Sequence, residues 1–108
     1  MIIITGGAGF IGSALVGTLN KRGRSDLLVV DKLDHDEKEH NLSALKYEQL
    51  IDGAGFRKGL KEGLFDQEKV EAVFHLAAIT STIERDWALF EDINIDFTQE
   101  VVRWCVDR

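Results

Sequence analysis

The chain has no proline, one cysteine (Cys105), one tyrosine (Tyr47) and one methionine in 108 residues. A lone cysteine excludes an internal disulfide and fits a reducing setting, so a cytoplasmic location is the expectation. No apolar run approaches the roughly 20 residues of a membrane-crossing helix. The opening Met1-Ile2-Ile3-Ile4 passes straight into Thr5 and Gly6, without the basic start and longer apolar stretch of a secretory leader. Positive charge is also scarce: 13 Lys plus Arg stand against 19 Asp plus Glu, a formal charge of -6. That balance argues against general attraction to nucleic acid or to an anionic membrane. A phosphate-bearing ligand must therefore be held by a local device. Without proline, turns fall to the ten glycines.

What is present is an ordinary globular composition, 44% apolar and 30% charged, sufficient for a single core over residues 1-108. Met1 to Thr5, Asp26 to Asp31 and Glu71 to Ala77 are short apolar runs without polar alternation, the pattern of strands buried on both faces of a parallel sheet. Phe10, Ile11, Ala14, Leu15 and Leu19 recur at helical spacing after the first run, and Gly23 is placed to end that helix. Phe90, Ile93, Phe97, Val101 and Trp104 predict a long final helix. Strand, helix, strand at this spacing is a right-handed βαβ unit, so the fold class is α/β. The stretch Asp34 to His40, DHDEKEH, is dense in charge and reads as an exposed loop. Its two histidines make a metal site conceivable, but no further Cys or His cluster completes a ligand set. Tyr47 to Ile51 reads as a short edge strand, and Gly55 to Leu64 as a short helix broken by Gly59 and Gly63. Trp87 and Trp104 read as packing residues, since no basic stripe accompanies them as it would a base-stacking surface.

The chemistry-bearing segment is Thr5-Gly6-Gly7-Ala8-Gly9-Phe10-Ile11-Gly12, wedged between the first strand and the first helix. Glycines there permit a tight turn, close backbone approach to a pyrophosphate and close packing of helix on strand. The helix then aims free N-H groups and a partial positive charge at the phosphates. Gly7, Gly9 and Gly12 satisfy GxGxxG, whereas Gly6, Gly9 and Gly12 satisfy GxxGxxG; both imply a dinucleotide. No GK followed by Ser or Thr closes a glycine run, which excludes a Walker loop. Asp31 ends the second strand about 20 residues further on, where a carboxylate is expected to accept from the adenosine ribose hydroxyls and to favour NAD. Lys32 and Lys38 can reach a 2'-phosphate and favour NADP, or can simply be solvated.

These residues resemble the extended short-chain dehydrogenase/reductase family, also called the NAD-dependent epimerase/dehydratase family. TGGAGFIGS is similar to the family's TGGxGFIGS and selects Gly6, Gly9 and Gly12 as the glycine motif. Asp31 stands in VVDKL, similar to VVDNL; His75 to Ala78 match HLAA; Asn94 to Thr98 match NxxGT with Phe97 in place of glycine. The resemblance implies the N-terminal part of a doubly wound Rossmann sheet, about four strands in the order 3-2-1-4, and a nucleotide-sugar epimerase that uses NADP or NAD. It implies that Gly6, Gly9, Phe10, Ile11 and Gly12 line the pyrophosphate, and that Asp31, Lys32 and Lys38 line the adenosine end. It places His75, Leu76, Ala77, Ala78 and Ile79 beneath the ribose and nicotinamide, Asn94 in that wall, and Ser81 and Thr82 at the substrate. Competing readings make His75 a packed strand residue and Ser81 and Thr82 helix caps. Gly53 stands where epimerases of this kind tend to carry a cofactor-binding lysine.

The family's catalytic pair is a Tyr and a Lys four residues apart, YxxxK, but here Ile51 follows Tyr47 at that distance. No catalytic residue is therefore assigned, and the chain is expected to be an N-terminal fragment, inactive alone. The expected partner of the parent enzyme is a small-molecule nucleotide sugar, and a homo-oligomer is one assembly open to it. Neither nucleic acid nor membrane is expected as a partner. A four-stranded half sheet is also expected to expose apolar surface beside its fourth strand and to self-associate.

Overall fold

In the computed structural model, residues 1-78 and 86-108 are described. Four parallel strands, β1 (Ile2–Thr5), β2 (Leu27–Val30), β3 (Gln49–Ile51) and β4 (Ala72–His75), form one sheet in the order β3-β2-β1-β4. The register sets Ile2 beside both Leu27 and Ala72, and Thr5 beside both Val30 and His75. The connections carry α1 (Phe10–Lys21), α2 (Asp36–Leu42) and α3 (Gly53–Glu62). After β4 come α4 (Trp87–Glu91), a π-helical turn (Asp92–Asp96) and α5 (Phe97–Asp107), end to end.

Every residue of β1 and β2 is buried, because side chains alternate between two covered faces. Ile2, Ile4, Leu27 and Val29 meet Val16 of α1 and Leu42 of α2 on one face. Ile3, Leu28 and Val30 meet Phe56 of α3, Phe65 and the Phe97 and Val101 of α5 on the other. The Phe56 ring lies 5.5 Å from Phe65 and 6.1 Å from Phe97, centroid to centroid. Burying each ring stabilises the fold by about 1.5–3 kcal/mol.

Several local expectations are corrected. The charged segment Asp34 to His40 is not a loop but contributes most of α2. Asp36, Glu37 and Glu39 suit the positive N-terminal end of that helix, Lys38 pairs with Asp34 one turn back, and Leu42 anchors it. Gly59 does not break α3. A Cβ there would stand 2.6 Å from the Phe65 ring, so the missing side chain is what lets Phe65 pack. Gly63, at φ 75°, is the residue that ends the helix. On α1 the buried stripe is Gly12 and Val16, flanked by Leu15 and Leu19; Phe10 and Ile11 are 87% and 71% exposed, and Ala14 is exposed too. The long final helix is present but interrupted by the π turn, where the Phe97 N-H reaches back to the Asp92 carbonyl. Trp87 is exposed and stacks on Phe90 at 5.3 Å, so it is not a core residue. Trp104 does pack against the second cluster.

Candidate functional site

The turn from β1 to α1 is built around Gly6, at φ 71°. Its N-H donates to the Val30 carbonyl at 2.7 Å, and its carbonyl accepts from Gly9 N-H at 3.1 Å. A Cβ on Gly6 would stand 2.9 Å from the Leu76 carbonyl carbon and the Ala77 nitrogen, so a side chain would push the β4 exit away. A Cβ on Gly12 would stand 2.0 Å from the Gly6 oxygen, which makes that glycine a condition of seating α1 against the turn.

Gly9 differs. It is the N-cap of α1 in an extended conformation, and an added Cβ would meet only the Gly6 oxygen at 3.4 Å, an ordinary contact. The surrounding protein does not require a glycine there. Beside it, Phe10, Ile11 and Gly12 open the helix, so their N-H groups have no acceptor four residues back. No side chain among the described residues caps this end. Open backbone above Gly9 and amides unclaimed among the described residues, at a positive helix terminus, fit a diphosphate.

Asp31 and Asn41 hold the loop from the side. Asp31 Oδ2 accepts from Ala8 N-H at 3.0 Å, while the Asn41 side-chain amide donates to the Ala8 carbonyl at 2.9 Å. Both ends of one loop residue are therefore fixed by side chains from the segment that follows β2. Asp31 Oδ1 also accepts from Lys32 N-H at 2.7 Å and from Lys38 Nζ at 2.9 Å. Lys38 reaches Asp34 as well, at 3.1 Å. Burial lowers the proton affinity of the Lys38 ammonium, but its bonds to the two aspartates outweigh that and raise its pKa, so it stays charged. Lys32 is exposed beside it. Among the described residues no three His, Cys, Asp or Glu converge as metal ligands.

At the tip of β4, His75 lies edge-on to the Phe97 ring, centroids 4.9 Å apart. Its Nδ1 is 2.7 Å from Thr5 Oγ1 and its Nε2 is 3.0 Å from Thr98 Oγ1. Burial pushes its pKa down, which keeps the ring neutral. Leu76 and Ala78 are exposed and Ala77 is half-buried. Asn94 lies in the π turn, where its carbonyl accepts from the Thr98 hydroxyl at 3.0 Å. Arg57 of α3 binds this helix to the fold through Asp92 at 2.9 Å, Glu100 at 2.6 Å and the face of Phe97. Those bonds hold both carboxyls below their ordinary range. Ile79, Ser81 and Thr82 lie outside the described residues. Sequence reasoning assigned no role to Asn41, Thr5 or Thr98, whose bonds join residues 33, 70 and 23 positions apart.

A glycine turn entering a helix at the carboxyl edge of a parallel sheet, with an acidic residue at the neighbouring strand tip, defines a Rossmann-type dinucleotide-binding domain. Comparison with known proteins narrows the class: the NAD dependent epimerase/dehydratase family matches residues 2–108, and the chain belongs to that family. It is 40% identical over 108 residues to the ADP-L-glycero-D-manno-heptose-6-epimerase of Brachyspira hyodysenteriae, covering 100% of this chain and 34% of that protein. It is 44% identical over 110 residues to the enzyme of the same name from Alkalilimnicola ehrlichii, covering 100% of this chain and 33% of that one. The chain thus spans about a third of the length of these relatives. Among solved structures, the UDP-glucuronic acid 4-epimerase of Bacillus cereus in complex with UDP-glucuronic acid and NAD superposes with a TM-score of 0.76. That match is 29% identical and covers 96% of this chain and 35% of the enzyme. The Bordetella bronchiseptica enzyme WbmG in complex with NAD and UDP gives a TM-score of 0.75 at 32% identity, covering 95% of this chain and 32% of that one.

Proposed function

We propose that this chain is the dinucleotide-binding part of a nucleotide-sugar epimerase acting on an ADP-heptose, a precursor of lipopolysaccharide. The observation that carries the dinucleotide reading is the open backbone at Gly9, beside the uncapped start of α1 and within reach of Asp31. Gly6, Gly9, Phe10, Ile11 and Gly12 hold the pyrophosphate, and Asp31, Lys32 and Lys38 hold the adenosine end. His75 to Ala78 and Asn94 form the wall under the nicotinamide; the family motif assigns Ile79 to the same role and Ser81 and Thr82 to substrate binding. The choice of an ADP-heptose rests on the two relatives of that name.

A bound dinucleotide supplies a reversible hydride acceptor and donor. The residues of this chain bind and orient it. Tyr47 packs against the cluster under α1 and α2, and no Lys follows it at position 51. The proton-transferring pair is therefore assigned to the two-thirds of its relatives' length that this chain does not span. That same observation favours one second reading, a dinucleotide-binding module without catalysis.

NADP is the favoured cofactor and NAD the alternative. A lone carboxylate at the β2 tip would repel a 2'-phosphate, but here Lys38 is paired to Asp31 and Lys32 is exposed next door. The test is calorimetric titration of the chain with NADP and with NAD, each competed by ADP. Saturable binding displaced by ADP supports the reading, with NADP tighter; a flat titration for both dinucleotides overturns it. Epimerase turnover by these 108 residues alone would overturn the assignment of the proton-transferring pair.

A further inference from the structure

The contacts of His75 fix more than its position, because hydrogen-bond donors and acceptors along them can be counted. The Thr98 hydroxyl must give its hydrogen to the Asn94 carbonyl, 3.0 Å away, since a carbonyl only accepts. Thr98 Oγ1 can then only accept from His75, which places the ring proton on Nε2. In the neutral ring Nδ1 is then a bare acceptor, so the Thr5 hydroxyl donates to it at 2.7 Å. The Thr5 oxygen is in turn the acceptor for the Ala77 N-H at 3.2 Å. For the neutral ring the bonds run in a single direction: Ala77 N-H to Thr5, Thr5 to His75, His75 to Thr98, Thr98 to Asn94.

We infer that Thr5, His75 and Thr98 are positioning residues: a one-way hydrogen-bond chain through the neutral Nε2-H form of His75 ties the Ala77 amide to the π turn, and so shapes the wall on which the dinucleotide rests. Thr5 is completely buried, so water cannot take over a bond broken there. No buried side-chain polar atom among the described residues is left unpaired, which makes the chain complete at its inner end. The π turn supplies the other end, since it contains Asn94 and delivers Thr98 two residues beyond its close. Widened turns of this kind recur where a helix must present a group off its regular register. The role in cofactor binding rests on the function proposed above, whereas the bond chain itself does not.

The experiment uses the 15N-labelled chain. Long-range 1H-15N correlations are expected to show His75 protonated at Nε2 and bare at Nδ1. Amide exchange at Ala77 is expected to be slow. Thr98→Val, which keeps shape and removes the acceptor, is expected to mix the two tautomers and to weaken dinucleotide binding on the order of tenfold, the scale of one lost hydrogen bond. Thr98→Ser is expected to restore both. A proton on Nδ1 in the unaltered protein overturns the chain, as does fast exchange at Ala77. A Thr98→Val protein that mixes tautomers yet keeps full affinity overturns the positioning role. If the unaltered protein binds no dinucleotide, the functional proposal fails and the positioning role fails with it, while the tautomer and exchange data still decide the bond chain. If Thr98→Val does not fold, Thr98→Ala, which removes the same hydroxyl, carries the same comparison against Thr98→Ser and the unaltered protein.

Discussion

Ala8 and Asp31 are joined by a 3.0 Å hydrogen bond from the loop amide to the carboxylate. The residue read from the sequence as a ribose ligand therefore braces the glycine loop. A carboxylate offers about four acceptor positions, and Ala8, Lys32 and Lys38 occupy three of those on Asp31. A ribose that engages Asp31 with two hydroxyls must share one of these positions or displace Lys38.

This double duty separates two substitutions. Asp31→Ala removes the proposed ligand and the brace together and is expected to cost about 1–3 kcal/mol of stability, along with most of the dinucleotide affinity. Asn41→Ala removes only the brace on the Ala8 carbonyl, so affinity falls less. Urea unfolding and calorimetry on the two variants check the order; equal losses of affinity would contradict it.

The glycines separate in the same manner. Gly12→Ala places a methyl group 2.0 Å from the Gly6 oxygen, and overpacking of this kind costs about 1–3 kcal/mol or more. Gly9→Ala meets only an ordinary contact, so its melting temperature is expected to stay near that of the unaltered protein while dinucleotide affinity drops. A Gly9→Ala protein that binds normally would show that no ligand approaches that backbone.

Stability is expected to fall in acid in two stages. Burial holds the folded-state pKa of His75 below its ordinary value, so the unfolded chain takes up a proton more readily than the folded one. The contribution of His75 is complete above about pH 6.5 and is lost as pH drops through its lowered native value. Asp92 and Glu100, held down by Arg57, add a second loss at more acid pH, beginning near the ordinary carboxylate values of about 4. Urea midpoints measured from pH 8 down to pH 3 test this, with His75→Gln expected to remove the upper stage alone. Stability that rises between pH 7 and pH 5 would refute the assignment to His75.

β4 is an edge strand whose Phe74 is 38% exposed, and an open apolar edge invites pairing with another chain. The 108-residue chain is expected to sediment as a concentration-dependent oligomer. Phe74→Lys, which puts a charge on that edge, is expected to shift it toward monomer. A monomer at all concentrations in the unaltered protein would rule the edge out as an association surface.

The sheet was legible in the sequence because buried parallel strands read as uninterrupted apolar runs, and the glycine loop because turn, approach and packing each demand glycine between strand and helix. α2 was not, since Leu42 is its only buried residue and a single anchor leaves no period among seven mostly charged positions. Gly59 misled for a different reason: its missing side chain serves Phe65, a partner beyond the helix end. Phe10 and Ile11 fit the helical spacing, yet they stand beside the loop, largely exposed. In the candidate site, Asp31 was singled out from its place after the second strand, and the structure sets it against the glycine loop. The Asn41 brace and the threonines flanking His75 were not, because bonds between side chains distant in sequence leave no spacing to read.

The sheet separates two apolar clusters, one beneath α1 and α2 and the other beneath α3 and α5. Phosphate loop and Asp31 brace belong to the first side; His75 and Thr98 belong to the second. Damage should therefore be one-sided. Trimming Val16 would slacken the grip on the adenosine half of a ligand and spare the rest, while trimming Phe56 would do the reverse. On the proposed reading, a dinucleotide lying across the strand tips is the one body that feels both clusters.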